Sequence, residues 1–473
     1  MKVEQIYTGC LAQGAYYIES NGEAAIIDPL REVDPYIEMA NERNAKIKYV
    51  FETHFHADFV SGHIDLAKKT GAKIVYGPTS METGFDFLSA KDGQEFQLGN
   101  ATVRLIHTPG HTMESSCYLL IDENGKETSL FSGDTLFIGD VGRPDLAQKV
   151  IAELTQEKLA GHLFDSLRNK IMPLNDDIIV YPGHGAGSAC GKMMSDETTD
   201  TLGHQKKTNY ALNLNLSKEA FIDSILTGLT PPPGYFPQNV LLNIKGYEAV
   251  DHVIAKGTTP LSVAAFETAM EETSAIIIDT RDAQEFARGY IPNSFNIGLD
   301  GSFANWVGTT IVDVARPLLI IAEKGKEEEV ATRLARIGFD NTLGYLEGGV
   351  KAWQQTGKQL YTVKSIGAER LASIMEEKHV NVLDVRRKSE YNSEHMLHAI
   401  NLPLDYLQNN LSEIDKNKIY YVHCRSGYRS MVFISILRSM GYENMIDIKG
   451  GFKAMKETGK FDISDYAEPT TML

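Results

Sequence analysis

Cysteine is scarce in this chain: Cys10, Cys117, Cys190 and Cys424 are the whole complement among 473 residues. Thiols so few and so scattered form neither a disulfide framework nor a four-thiolate zinc site, so each is read as a free thiol of a reducing compartment. Basic charge is also short, with 46 Lys and Arg against 63 Asp and Glu and a formal net charge of −17. A chain of that balance is poorly suited to nucleic acid or an anionic membrane surface. Long apolar runs are missing, and none reaches the roughly 20 residues that cross a bilayer. The opening stretch, MKVEQIYTGCLAQGAYYIES, lacks the apolar core of a secretory leader and passes straight into strand-like sequence, so a cytoplasmic protein is expected. With 42% hydrophobic residues the chain has material for about three domains at roughly 150 residues each.

Strand and helix patterns alternate in the first region. GAYYIES and EAAIIDP read as strands around an Asn21-Gly22 turn, and HIDLAKKTG as a helix closed by Gly71. IKYVFETH, KIVYGP, ATVRLIHTPG, SCYLLID, TSLFSGD and DIIVYPGHG are further short strands, most ending in polar loops, where α/β proteins place their chemistry. From Gln205 to Phe236 a helical stretch is expected, ending at Pro231-Pro232-Pro233-Gly234, a domain edge with the following NVLLNIKG. An internal repeat comes next. SVAAFETAMEETSAIIIDTR from Ser262 matches SIGAERLASIMEEKHVNVLDVR from Ser365, so Asp279 answers Asp384, Asn296 answers Asn401, and Gly348-Gly349 answers Gly450-Gly451. A period of roughly 100 residues is too long for a solenoid and indicates two copies of one small α/β domain with a parallel sheet.

The stretch THFHADFVSGH carries His54, His56 and Asp58 at alternate positions, followed by Phe59. Three more loops offer ligands: HTPGHT with His107 and His111, SGD with Asp134, and PGHG with His184. A lone strand histidine is usually structural, but four His- or Asp-bearing loops, each following an apolar strand, point to one site. The ordered set HFHAD, TPGHT, SGD and PGHG resembles the metallo-β-lactamase fold, an αβ/βα sandwich with metal at one edge. In its dinuclear hydrolases, including glyoxalase II, the first loop reads HxHxDH, and Phe59 replaces the last His. The branch this sequence resembles best is the persulfide dioxygenases, whose single iron is held by two His and one Asp. The resemblance carries those ligands onto His54, His111 and Asp134. Two imidazoles and a carboxylate leave three positions open, an arrangement suited to non-haem Fe(II), whereas zinc hydrolysis needs one. One Fe(II) per N-terminal domain is expected, with zinc as the alternative. His56, Asp58, His184 and Tyr181 are then groups that orient ligands or meet substrate. Phe59 is apolar packing where a hydrolase recruits a second metal, or simply a core residue. In GDVGRPDL, Arg143 either holds a substrate carboxylate or braces its own loop.

The loop HCRSGYRS lies between the strand IYYV and the helix MVFISILRSMG, with Cys424 at its head and Arg425 and Arg429 nearby. Backbone N–H groups at a helix N-terminus lower a thiol pKa and cradle an anion. With DVR, HAINLPL and GGFKAM around it, this region resembles rhodanese, and the six-residue loop CRSGYR is the length associated with sulfur transfer. In the first copy Glu323, in AEKGKEEE, is expected where Cys424 should be, in a loop about two residues shorter. That copy therefore looks like a rhodanese without catalysis. Cys190, in GAGSACG after His184, is either a sulfur relay or a plain thiol; Cys117 and Cys10 look structural.

The expected architecture is α/β: a metallo-β-lactamase αβ/βα sandwich over 1–245, a Cys-less rhodanese-like domain over 255–360 and a rhodanese sulfurtransferase over 362–465. The whole chain resembles the persulfide dioxygenase–rhodanese fusions of sulfide detoxification. That resemblance implies oxidation of a low-molecular-weight thiol persulfide by O₂ to sulfite, followed by sulfur transfer at Cys424 to form thiosulfate. A homo-oligomer, dimer or tetramer, is expected. Two other readings stand beside it: a zinc thioester hydrolase of the glyoxalase II kind, and a non-enzymatic persulfide carrier or sensor.

Overall fold

The structure, a computed structural model, describes residues 1–146, 154–229 and 231–468. Two compact units divide it, the first built mainly on Met1–Val250 and the second mainly on Asp251–Leu334 and the residues after Phe339.

The first unit is two six-stranded sheets. One runs in chain order through β1 (Lys2–Thr8), β2 (Gln13–Ser20), β3 (Glu23–Ile27), β4 (Lys46–Phe51), β5 (Lys73–Tyr76) and β6 (Leu88–Ser89). The other runs through β7 (Glu95–Leu98), β8 (Ala101–His107), β9 (Ser116–Ile121), β10 (Glu127–Gly133), β11 (Ile179–Pro182) and β12 (Asp200–Thr201). Strand alternation makes the layers. In β2, Tyr16 and Ile18 face the second sheet, whereas Ala15 and Tyr17 face the helix Asp34–Glu42. In β9, Tyr118 and Leu120 face the first sheet, whereas Cys117 and Leu119 face the helices Gln156–Ser166 and Lys218–Leu226. Both sheets are thus buried on two faces, which gives the expected αβ/βα sandwich.

Local signals act as expected at the β2–β3 turn, where Asn21 and Gly22 take φ 46° and 79°, and at Gly71, which closes the helix His63–Thr70 at φ 75°. The stretch Gln205 to Phe236 is helical only in pieces. Asn209 ends Leu202–Thr208 in extended backbone, Ser217 caps Lys218–Leu226 by accepting the Ala220 N–H, and another helix starts at Phe236.

The second unit holds two five-stranded parallel sheets. The strands β13 (Pro260–Leu261), β14 (Ile276–Asp279), β15 (Ser294–Asn296), β16 (Leu318–Ile321) and β17 (Thr342–Leu346) take the order 13-17-16-14-15. The strands β18 (Ser365–Gly367), β19 (Asn381–Asp384), β20 (Ile400–Asn401), β21 (Tyr420–His423) and β22 (Met445–Lys449) repeat it as 18-22-21-19-20. The helix Tyr428–Ser439 is buried without a break from Ser430 to Leu437. It lies against β22 and β21 of its own copy and β15 of the other, and the two serines of that stretch, Ser430 and Ser435, are hydrogen-bonded. No helix among the described residues is long and apolar enough to cross a membrane.

Candidate metal centre and thiol loop

His54 follows β4, His111 the β8 loop, Asp134 the end of β10 and His184 the end of β11, so the four loops meet at one edge of the sandwich. Gly183 permits the approach, since a Cβ there would lie 2.5 Å from Asp134 Oδ1. Nitrogens of His54 and His111 and an oxygen of Asp134 all lie within 4.8 Å of one another, and all three residues are buried. Neighbours set their tautomers. His111 Nδ1 donates to Arg143 O at 2.8 Å, leaving Nε2, 3.5 Å from Asp134 Oδ2, with its lone pair. Thr53 Oγ1 donates to Asp28 Oδ2 at 2.8 Å and faces His54 Nδ1 at 3.0 Å, which turns His54 Nε2 toward Asp134 in the same way. Burial, and then His56, His111 and His184, hold His54 well below its usual pKa, so it is a neutral imidazole. Both oxygens of the buried Asp134 lack a hydrogen-bond partner. A buried carboxylate without donors, facing lone pairs, is the environment of a cation, and a divalent metal fits this donor set.

A second group of ligand atoms, from His56, Asp58 and His184, also falls within 4.8 Å. His184 Nε2 stands 3.4 Å from Asp58 Oδ2 and 3.6 Å from Asp134 Oδ1. His56 is drawn the other way: its Nε2 lies 3.0 Å from Asp28 Oδ1 and 3.5 Å from Glu52 Oε2. Burial alone would depress His56, but Asp28 and Glu52 outweigh it and push it up to about 9. Phe59 is fully buried, with its ring centroid 4.4 Å from that of His56. Asn243 Nδ2 pins the loop by donating to His56 O and Phe59 O, each at 2.8 Å. Phe59 is thus both a core residue and an apolar wall behind the metal loop.

The other predicted residues divide. Cys190 joins Asp134 and His184 within 4.8 Å, and burial followed by Asp58 and Asp134 pushes its thiol well up. Arg143 is buried and bidentate on Asp145, with Nε–Oδ1 and Nη2–Oδ2 both 2.7 Å. That is the loop brace; its guanidinium is committed within the chain rather than offered to a substrate carboxylate. Tyr181 is a correction: its ring stacks on Phe131 at 5.2 Å and meets Tyr16 edge-on at 5.4 Å, in the inter-sheet core. The alternation of β11 turns it there, with Val180 on the opposite face. Cys117 is core, as expected, and burial pushes its thiol up to about 11. Asp28, Glu52, Thr53 and Asn243 escaped the sequence reading. Asp28 carried the one usable signal, an acid ending an apolar strand as Asp134 does. A cavity of about 250 Å³ opens beside His111, walled mainly by Phe55, Met81, Met113, Val240 and Ile244.

In the second unit Cys424 is buried at the end of β21. Gly427, left-handed at φ 104°, aims its N–H at Cys424 Sγ from 3.1 Å, and Ser430 Oγ lies 3.9 Å away. The Gly450-Gly451 turn clamps the loop from behind, with Phe452 N–H donating to Cys424 O at 2.7 Å and Lys453 N–H to Arg425 O at 3.0 Å. Arg429 is bidentate on Glu390 at 2.5 and 2.8 Å, and Arg425 is exposed. Sheet register corrects the match between copies. Asp279 lies opposite Ile321 and Asp384 opposite His423, so Ala322, not Glu323, stands at the position of Cys424. Glu323 answers Arg425, and the left-handed Gly325 answers Gly427, so the first copy's loop is not shorter up to that glycine. The thiol is absent all the same.

A metal edge on an αβ/βα sandwich, followed by two parallel-sheet domains of which one carries a thiol loop, defines a class. The metallo-β-lactamase superfamily model matches residues 8–184, and the rhodanese-like domain model matches 262–356 and 367–458. A metallo-β-lactamase from Staphylococcus aureus subsp. aureus COL is 32% identical with a TM-score of 0.64, the match covering 73% of this chain and 98% of that one. The chain belongs to the metallo-β-lactamase superfamily, with rhodanese-like domains after the sandwich. Hydroxyacylglutathione hydrolase of Rhizobium etli is 34% identical over 165 residues, 34% of this chain and 57% of that protein. The chain spans little more than half the length of the curated relatives it matches. ETHE1 from Myxococcus xanthus is 26% identical with a TM-score of 0.43, covering 51% of this chain and 100% of that one.

Proposed function

We propose that the protein oxidises a low-molecular-weight thiol persulfide with O₂ to sulfite at the N-terminal site and transfers sulfane sulfur at Cys424, yielding thiosulfate. The observation that carries this reading is the His54, His111 and Asp134 set with Phe59 in place of a further nitrogen ligand. Fe(II) held by those three groups would supply the redox chemistry of O₂ activation and leave coordination positions for substrate. His111 and His54 are aimed by Arg143 O and Thr53 Oγ1, and Asp134 is the carboxylate of the set. The apolar cavity beside His111 excludes water from the sulfur to be oxidised. One persulfide, one O₂ and one water give one thiol, one sulfite and two protons. At the second site, the Gly427 N–H faces the sulfur that carries negative charge. Transfer from the Cys424 persulfide to sulfite releases thiosulfate and returns the Cys424 thiolate. The two halves belong together because the product of one is the acceptor of the other.

A zinc thioester hydrolase is the second reading. It is favoured by the His56, Asp58 and His184 group, which offers a second metal position, and by the hydroxyacylglutathione hydrolase relatives. Elemental analysis of anaerobically purified protein, with O₂-electrode traces on adding a thiol persulfide, separates the two. About one iron per chain, persulfide-dependent O₂ uptake, and loss of both in Asp134→Ala are expected. Two zincs per chain with no O₂ uptake would move the protein to the hydrolases.

A further inference from the structure

The rhodanese-like copies meet where the second carries its thiol loop, and the contact is built from both sides. Tyr428, the fifth residue of CRSGYR, donates its hydroxyl to Gly298 O of the Cys-less copy at 2.7 Å. Its ring lies in a notch that glycine keeps open, since a Cβ at Gly298 or Gly301 would come within 3.2 Å of the ring edge. Two turns along the same helix, Ser435 Oγ accepts the Asn296 N–H at 2.9 Å. A third link reaches the thiol itself. Gln284 of the Cys-less copy donates from Nε2 to Asp447 Oδ2 at 2.8 Å, and Ser365 Oγ donates to the same oxygen at 2.7 Å. The other oxygen, Oδ1, accepts from Ser430 Oγ at 2.9 Å, and that hydroxyl lies 3.9 Å from Cys424 Sγ. A buried carboxylate with three donors is a fixed post.

We propose that the Cys-less copy is a positioning element for Cys424, with Gln284, acting through Asp447 and Ser430, and Tyr428, held by Gly298, as its positioning residues. The proposal rests on the reading of Cys424 as the sulfur carrier. In that step the Cys424 thiolate attacks the outer sulfur of a persulfide. The donor S–S bond breaks, the donor thiol leaves with the proton, and the new Cys424 persulfide carries the negative charge. The attacking thiolate carries its charge on Sγ, the atom at which the Gly427 N–H is aimed from 3.1 Å, and a misplacement of about 1 Å at a reacting group is worth about a hundredfold in rate. Within its own copy the loop is held by the Gly450-Gly451 turn and by Arg429 on Glu390; the Cys-less copy adds the hold on Tyr428 and, through Asp447, on Ser430. The contact gives a physical reason for a copy that lacks the nucleophile to remain in the chain, and for glycine at 298 and 301.

The test uses the full chain with Gln284→Leu and Tyr428→Phe; the second keeps the ring in its notch and removes only the hydroxyl. Sulfur transfer is measured from thiosulfate to cyanide. Reactivity of Cys424 is measured by iodoacetamide labelling across pH, with the Cys424 peptide quantified by mass. Each variant is expected to lose about tenfold in kcat with KM for thiosulfate within about twofold, and to label Cys424 along a profile displaced to higher pH. Persulfide-dependent O₂ uptake is expected to stay at the wild-type rate. Wild-type kcat and labelling profiles in both variants would overturn the proposal, as would a change confined to KM. A wild-type chain that transfers no sulfur would instead sink the reading of Cys424 as carrier, while the labelling profiles still decide whether the Cys-less copy positions the loop.

Discussion

The two rhodanese-like copies hold the same bracket with different results. In the first, Arg281 Nε donates to Asp279 Oδ1 at 2.9 Å and Nη2 to Gly289 O at 3.0 Å, while Asn296 Nδ2 donates to Asp279 O and Arg281 O at 3.1 and 2.9 Å. In the second, Arg386 makes the same bonds to Asp384 and Glu394 O at 2.9 and 3.0 Å, and Asn401 to Asp384 O and Arg386 O at 3.0 and 2.9 Å. The bracket joins the ends of β14 and β15, or β19 and β20, to the next turn, and it persists where no thiol chemistry follows. It is therefore architecture. What separates the copies is the loop after the neighbouring strand: both turn on a left-handed glycine, Gly427 or Gly325, but one carries Cys424 on a clamped backbone and the other Ala322, with Glu323 and Glu327 where the second copy has Arg425 and Arg429.

The sharpest way to break that comparison is to move the thiol. Cys424→Ala is expected to cut sulfur transfer on the order of a thousandfold or more. Adding Ala322→Cys is expected not to restore it. At the first-copy position answering Arg429 stands Glu327, so a thiol at 322 meets an acid where Cys424 has the Arg429–Glu390 pair nearby. Transfer from thiosulfate to cyanide in the double variant is the measurement. Recovery to within about tenfold of wild type would mean that the nucleophile alone, and not the loop, divides the copies.

The same loop shows what sequence could and could not tell. The four metal loops, the Asn21-Gly22 turn, the Gly71 cap and CRSGYR were legible because each is a short motif whose residue types are demanded by backbone conformation or by ligand chemistry. The equivalence of Ala322 and Cys424 was not. The spacing between copies changes somewhere between Asn296 and Gly348, and the intervening apolar strand LLIIA carries no landmark to say where; only the pairing of Asp279 with Ile321 settles it. Asn243 and Tyr181 were hidden for a related reason. One is a buried amide on an otherwise ordinary amphipathic helix. The other is a strand aromatic whose face depends on a register that a proline-ended, four-residue strand does not announce.

Glycine at the clamp sharpens the comparison at lower energy. Gly451 and Gly349 are both left-handed, at φ 57° and 59°. A Cβ at Gly451 would lie 2.4 Å from Cys424 O and 2.8 Å from Arg425 C, whereas at Gly349 the nearest atom, Ala322 O, is 3.9 Å away. Gly349→Ala is expected to cost about 1–2 kcal/mol, the strain of the left-handed region for an L-residue. Gly451→Ala adds a backbone clash to that strain and is expected to cost visibly more, with loss of sulfur transfer. Urea midpoints of the two copies, read by pulse proteolysis with the fragments identified by mass, check this. Equal losses would show that the loop gives way without resistance and that the clamp is not tight.

The smallest effect lies in the two bracket carboxylates. At Asp384 burial acts upward, but His423, then Arg386, outweigh it and hold the carboxyl below its usual value. At Asp279 burial wins over Arg281 and the carboxyl is raised. Two neighbours differ: His423, with Nε2 3.9 Å from Asp384 Oδ2, is replaced by Ile321, and Glu285 acts upward on Asp279. The signs oppose. A depressed carboxyl contributes stability above its unfolded value of about 3.9 and loses it as pH falls through the folded value. A raised one favours folding while protonated, and that contribution fades as pH climbs from about 3.9 through the folded value. Asp384→Asn is therefore expected to weaken the second copy at neutral pH, with the deficit closing as pH falls below about 4. Asp279→Asn is expected to gain on wild type as pH rises past that point. His423→Ile should move Asp384 toward the behaviour of Asp279, because it removes the largest downward influence on that carboxyl. If the pH dependences of the two copies run parallel with His423 intact, their difference is confined to the thiol loop and the histidine has no part in it.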